Sequence, residues 1–143
     1  MVNDSIVIKK GVELEIEVQS LAYGGMGLAK VDDFVVFVKN GIPGQRVLVL
    51  IYKKKKGFAE ARIIKVLKQS PLATEARCDH YWICSKLQTL SYEEQLKEKE
   101  KQVVDAFQRI GGFTYFRING VRSAEKKYNY RNNMEFTYSH HRW

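Results

Sequence analysis

One glycine-rich stretch of the chain carries residue types that suit contact with a nucleic acid. Residues 21–30 (LAYGGMGLAK) place Tyr23 beside Gly24, Gly25 and Gly27. Glycine permits positive φ and a close approach of backbone to a ligand. A tyrosine at the edge of such a turn can stack on an unpaired base. The stretch therefore predicts an RNA-contacting turn; the alternative is a tight structural turn with Tyr23 packed over the fold.

A run of lysines provides the second candidate contact. Lys53, Lys54, Lys55 and Lys56 precede Gly57, and Phe58 follows. Lysines on a hairpin tip can follow phosphates, which gives binding a strong salt dependence. Such a run can also protect a sheet edge from aggregation. We predict that the four lysines and Phe58 contact RNA, and that they form a positive groove beside the glycine turn.

Composition favours an anionic partner. The 143 residues carry a net charge of +8 with 45% hydrophobic residues, enough for a packed core. Solubility alone is the alternative explanation of the charge. No apolar run approaches the roughly 18–20 residues of a membrane span, and residues 1–5 do not resemble a signal peptide. We expect a cytoplasmic, monomeric protein that does not bind a membrane.

The first half of the sequence reads as short strands. Residues 12–19 alternate apolar and polar side chains, and 34–38, 46–52 and 59–67 are rich in β-formers. The last of these is expected to place Ala59, Ala61, Ile63 and Lys65 on one face. Roughly five short strands without a helix predict a small closed β-barrel over residues 1–70.

The second half is predicted to hold a linker, a helix and strands. Residues 71–90 are irregular, and residues 91–143 start with a helix capped by Ser91, since Glu94 completes a capping box. Gly111-Gly112 is expected to end the helix. Strands are predicted at 113–118 and 134–139, with a turn signal at 119–120. The apolar side of the helix comprises Leu96, Val103, Phe107 and Ile110.

Three blocks together resemble one family, the class I RNA (uracil-5-)-methyltransferases that act on 23S rRNA or tRNA. The first consists of residues 22–29 (AYGGMGLA), 36–38 (VFV), 42–44 (IPG) and 59–61 (AEA). It resembles the TRAM domain, a small OB-like β-barrel that binds RNA. The second consists of residues 78–84 (CDHYWIC), 87–88 (LQ), 90–96 (LSYEEQL) and Lys99; the third is 130–136 (YRNNMEF). These are similar to the segment that follows the barrel and to the start of the central domain.

The resemblance implies an RNA-binding portion of an enzyme that methylates C5 of uracil with S-adenosylmethionine. The implied partner is RNA, rRNA rather than tRNA, and the α+β segment after the barrel would begin the central RNA-binding domain. Arg131 matches a basic position there, so RNA contact is expected, with a structural arginine as the alternative. No catalytic residue of the family has a counterpart in this sequence. A stand-alone RNA-binding or RNA-chaperone module is the alternative function.

The family also ligates a [4Fe-4S] cluster with four cysteines, three of them spaced C-x5-C-G-G-C. Cys78 and Cys84 keep the first spacing, but Ser85 and Lys86 stand where Gly-Gly-Cys is needed. Because such a cluster normally takes four thiolates, we expect a degenerate cluster loop and no bound metal. A zinc site of Cys78, His80 and Cys84 is the alternative, and it lacks a local fourth ligand.

Overall fold

A computed structural model of the chain describes residues 8–81, 85 and 87–133. Six strands come first: β1 (Glu13–Glu17), β2 (Ser20–Ala22), β3 (Met26–Val31), β4 (Phe34–Lys39), β5 (Arg46–Lys54) and β6 (Phe58–Lys68). One helix follows, α1 (Tyr92–Asp105), and it continues into a π-helical turn, Ala106–Ile110. The glycine stretch is thus a β-hairpin of β2 and β3, which the sequence analysis did not separate into strands.

The strands form one curled sheet in the order β1-β5-β6-β4-β3-β2. Only the β4–β6 pair is parallel among the ladders of the described residues. The two edge strands, β1 and β2, are consecutive in the chain. The predicted small OB-like β-fold is therefore confirmed, with a short helix after it, but its six strands curl into a half-barrel rather than the closed barrel predicted.

Alternating side chains build the core inside the curl. Ile16 and Val18 are buried while the glutamates between and beside them face solvent. On β6, Ala59 and Ala61 are fully buried and Ile63 packs against the core, as predicted. Lys65 is exposed instead, because the pairing with β5 shifts by one residue after Ile63. Such a bulge reverses which side chains point inward.

Residues 71–90, expected as a linker, follow a buried serine, Ser70, that ties them to the sheet. The Ser70 hydroxyl donates a hydrogen bond to the Pro43 carbonyl oxygen at 2.5 Å. It also accepts one from the Leu72 amide at 3.1 Å. Gln45, itself buried, donates from Nε2 to Gln69 Oε1 at 2.7 Å. Gln69 and Ser70, at the predicted boundary, are thus hydrogen-bonded to the segment between β4 and β5.

The other end of the linker packs into a small apolar cluster. Leu90 is 2% exposed and contacts Leu21 and Ile42 of the half-barrel region. Ala73 bridges to Leu90 in antiparallel fashion, so the two ends of the linker lie side by side. The linker therefore docks on the half-barrel with its own apolar contacts.

The helix begins where its capping signal predicted. The Ser91 hydroxyl accepts a hydrogen bond from the Glu94 amide at 3.4 Å, and Gly112 has φ of 68° just past the C-terminal end. The expected apolar face is not buried: Val103 and Phe107 are nearly half exposed and Ile110 is 89% exposed. Among the described residues, no helix is long and apolar enough to cross a bilayer.

The strand predicted over residues 113–118 is wrong. The segment has no regular secondary structure, and the rings of Phe113 and Phe116 lie 5.7 and 5.3 Å from that of Phe107. Residues three apart lie on opposite faces of a strand, so an extended chain could not bring both rings to one neighbour. The predicted strand at 134–139 lies outside the described residues.

Candidate nucleic-acid interface

The glycine turn presents Tyr23 to solvent. Gly24 and Gly25 have φ of 85° and 78°, and the Gly25 amide donates to the Ala22 carbonyl at 3.1 Å. This tight turn holds Tyr23 at 91% exposure. The tyrosine therefore does not pack over the fold, and its ring is available for stacking on a base.

Gly27 lies in a different environment from the turn. It is buried within β3, where an added Cβ would lie 2.8 Å from Val18 Cγ1 and 2.9 Å from the Gly41 carbonyl oxygen. The absence of a side chain thus allows β3 to approach the loop after β4. Gly25 is also buried. We therefore assign Gly27 a packing role and exclude it from the interface proposed below.

One of the four lysines is held against the sheet. Lys53 Nζ donates to Glu60 Oε1 at 2.6 Å, and the Tyr52 hydroxyl donates to Glu60 Oε2 at 2.9 Å. A register shift between Ile51 and Lys53 lets two consecutive β5 residues face Glu60 of β6. Lys53 thus differs from the other three lysines, which have no ion pair among the described residues.

The same contacts set the charge at this point. Hydrogen bonds from Lys53 and then from Tyr52 lower the pKa of Glu60 below its ordinary 4.5. Desolvation, followed by the hydrogen bond with Glu60, raises the pKa of Tyr52. Glu60 is therefore ionised and Tyr52 is neutral at physiological pH, so the carboxylate offsets the charge of Lys53.

The rest of the hairpin tip combines cations with aromatic rings. Lys54 Nζ lies 5.7 Å from the centroid of Phe34, and Lys55 Nζ lies 5.8 Å from that of Phe58. Phe58 meets Phe37 edge to face, with centroids 5.5 Å apart. Cations beside stacking surfaces are the usual elements of single-stranded nucleic-acid sites.

The two predicted contact stretches lie at opposite ends of the sheet. Phe58, next to the lysine tip, is the neighbour of Val35 near the start of β4. Gly27, next to the glycine turn, is the neighbour of Val38 near the end of β4. Val35 and Val38 are three residues apart, about 10 Å along the strand, and the lysine tip and the glycine turn extend beyond them in opposite directions. The prediction of one groove beside one loop is wrong.

Outward-facing residues that the sequence pattern does not predict lie between those two ends. On β4, Phe37 and Lys39 alternate with the buried Val36 and Val38. Arg62 of β6 is the neighbour of Lys39. Every residue of the run 34–38 is apolar, which is typical of a strand buried on both faces. No alternation in the sequence marks Phe37, because the period-two pattern around Val36 and Val38 exists only in their burial.

Arg131 lies apart from the half-barrel surfaces. It is exposed and lines a groove of about 860 Å³ together with Lys99 of α1 and Tyr130, which is 73% exposed. An ion pair of Lys127 with Glu93 at 3.4 Å joins the two walls of this groove. RNA contact by Arg131 stays a prediction.

The cysteine loop is held by an amide side chain. Gln88 Oε1 accepts hydrogen bonds from the amides of Arg77 at 2.6 Å and Cys78 at 3.1 Å. Cys78 is exposed, and Cys84 lies outside the described residues. Within the described part of the chain, no three His, Cys, Asp or Glu side chains are grouped to hold a metal ion.

The model of the TRAM domain family matches residues 8–64. These residues form a TRAM domain. The match covers β1 to β5 and most of β6, so both the glycine turn and the lysine tip belong to it. The resemblance of the first block to a TRAM domain is confirmed.

Curated relatives extend the similarity beyond the TRAM domain. A protein of Clostridium tetani named as an uncharacterized RNA methyltransferase is 37% identical over 137 residues, which is 93% of this chain and 29% of that protein. One of Porphyromonas gingivalis with the same name is 38% identical over 130 residues, or 90% and 28%. The chain is thus homologous to RNA methyltransferases over most of its own length and spans about 28–29% of theirs.

A solved structure also resembles the chain. The tRNA (uracil-54, C5)-methyltransferase of Pyrococcus abyssi, in complex with S-adenosyl-L-homocysteine, is 24% identical, with a TM-score of 0.44. The match covers 69% of this chain and 21% of that one.

Proposed function

We propose that this chain is the RNA-binding portion of an S-adenosylmethionine-dependent RNA (uracil-C5) methyltransferase. The observation that carries the proposal is the homology to RNA methyltransferases over 93% of the chain. The sequence blocks quoted above support uracil as the target base. We further propose rRNA, rather than tRNA, as the substrate and a cytoplasmic monomer as the working form.

In this proposal the chain binds substrate and leaves the methyl transfer to other parts of the enzyme. S-adenosylmethionine would serve there as the methyl donor. The TRAM domain contributes three lysines, Lys54, Lys55 and Lys56, as phosphate contacts at one end of the sheet. Tyr23 contributes a stacking surface at the other end. Lys53 contributes less, because Glu60 already neutralises it.

RNA binding over a salt series tests the proposal. Replacing Lys54, Lys55 and Lys56 by Ser should weaken binding and lower the slope of log affinity against log salt by about 2, at roughly 0.7 per phosphate contact for single strands. Filter binding to an rRNA fragment measures both quantities.

A matched variant controls for the loss of positive charge. Replacing Lys65, Lys68 and Lys101 by Ser removes the same charge from exposed positions away from the lysine tip. This control should retain most of the affinity. Equal affinity and slope in the two triple variants would contradict the assignment of the lysine tip.

A further inference from the structure

A continuous row of outward-facing residues crosses the middle of the sheet. Because β4 and β6 are parallel neighbours, Val35 lies beside Phe58, Phe37 beside Glu60 and Lys39 beside Arg62. We call Phe58, Phe37, Lys39 and Arg62 the cation–aromatic stripe. It leads from the lysine tip at one end of β4 to the glycine turn at the other.

The stripe has the exposure that a ligand surface requires. Phe37 and Phe58 are partly exposed, and Lys39 and Arg62 are exposed without an ion pair to another described residue. Lys39 and Arg62 also line a groove of about 400 Å³ against the docked linker. Cations therefore lie at both ends of the stripe and two rings lie between them.

The acidic residue of this surface does not repel a phosphate backbone as an isolated carboxylate would. Glu60 lies beside Phe37, but Lys53 and Tyr52 occupy its two oxygens. The row is thus positive at both ends and close to neutral in the middle. Such a charge distribution suits a nucleic-acid strand whose phosphates lie beside the cations and whose bases stack on the two rings.

We propose that the cation–aromatic stripe binds a single-stranded segment of the RNA substrate. The segment runs from Lys54–Lys56 across Phe58 and Phe37 to Lys39 and Arg62, and Tyr23 lies beyond that end. The inference rests on the proposed RNA-binding function and adds the strandedness and path of the ligand. Unpaired bases are required, because paired bases are stacked on each other and cannot stack on the phenylalanines. Single-strand sites on OB-like folds take about four nucleotides or more.

Two variants of the full chain separately test the phosphate contacts of the cations and the stacking of bases on the aromatic rings. Lys39→Gln with Arg62→Gln should weaken binding of an oligouridine of about ten nucleotides roughly tenfold at low salt, and should lower the salt slope by about 1.4. Phe37→Leu keeps an apolar side chain and should weaken binding roughly five- to hundredfold without changing the slope.

A control variant removes two positive charges from β6, the strand that carries Arg62. Lys65→Gln with Lys68→Gln removes two charges from β6 outside the stripe and should leave affinity and slope nearly unchanged. Circular dichroism verifies that each variant is folded. If Phe37→Leu does not fold, the Lys39 and Arg62 double variant still decides the inference.

The outcomes separate this inference from the proposed function. If the lysine-tip variant loses affinity while both stripe variants bind normally, the stripe is excluded and the proposed function stands. Tighter binding of a blunt duplex than of the oligouridine overturns the single-strand assignment. If the unaltered chain binds neither rRNA nor oligouridine, both proposals fail.

Discussion

Glu60 sets how many lysines the TRAM domain offers to a ligand. Replacing Glu60 by Gln removes the charge that holds Lys53 at 2.6 Å. We expect tighter RNA binding at low salt and a salt slope steeper by about 0.7, since one more lysine becomes available to phosphate. Filter binding over a salt series measures both. Glu17→Gln, an exposed change on β1, is the control for the removal of one negative charge.

The same residue predicts a pH dependence of stability. Because the folded pKa of Glu60 lies below 4.5, its ionised form stabilises the fold above that pH. This contribution is lost as pH falls from about 4.5 through the folded pKa. The melting temperature of the unaltered chain should therefore drop more over this interval than that of Glu60→Gln. Parallel pH profiles for the two proteins would contradict the role of the carboxylate.

At the scale of elements, Gly27 determines how closely β3 approaches the loop after β4. Gly27→Ala should destabilise the TRAM domain by about 1–3 kcal/mol, because the new methyl group meets the Gly41 backbone, which cannot rotate away as a side chain could. Urea unfolding measures the loss. Gly57→Ala has nothing within 4 Å of its Cβ and should be nearly neutral. Similar stability of the two variants would show that the loop yields.

The elements that could be predicted from sequence are those specified by local signals. The Ser91 cap and the alternation in residues 12–19 both depend on residues close in the chain, and both were predicted correctly. The outward side of β4 was missed because its outward residues are largely apolar too. The segment 113–118 is rich in β-formers, which predicts a strand, and a count of β-formers does not detect that its aromatic contacts follow a spacing of three.

At the scale of the whole molecule, one leucine joins the linker to the TRAM domain. Leu90→Ala should weaken this docking by about 2–5 kcal/mol, because Leu90 is 2% exposed and packs on Leu21 and Ile42. Limited proteolysis should then cut within residues 71–90 faster than in the unaltered chain. Leu67→Ala is the control, because Leu67 is 43% exposed, and the protease should cut this variant at the same rate as the unaltered chain. Equal rates in all three proteins would contradict the docking.

The placement of the contact residues was beyond sequence reasoning. Tyr23 and Lys54–Lys56 were identified by residue type, and their positions in the chain suggested nothing about their separation. The parallel pairing of β4 with β6 puts them at opposite ends, and that pairing joins segments far apart in sequence. Lys53 was grouped with its neighbours because the shift that aligns it with Glu60 has no local signature.

The docked linker has a mechanical consequence. Leu90 is anchored on the sheet and the very next residue, Ser91, caps α1, so no free hinge residue lies between anchor and helix. The direction of the α1 axis is therefore fixed relative to the TRAM domain. A ligand that orients the sheet would therefore orient the helix as well.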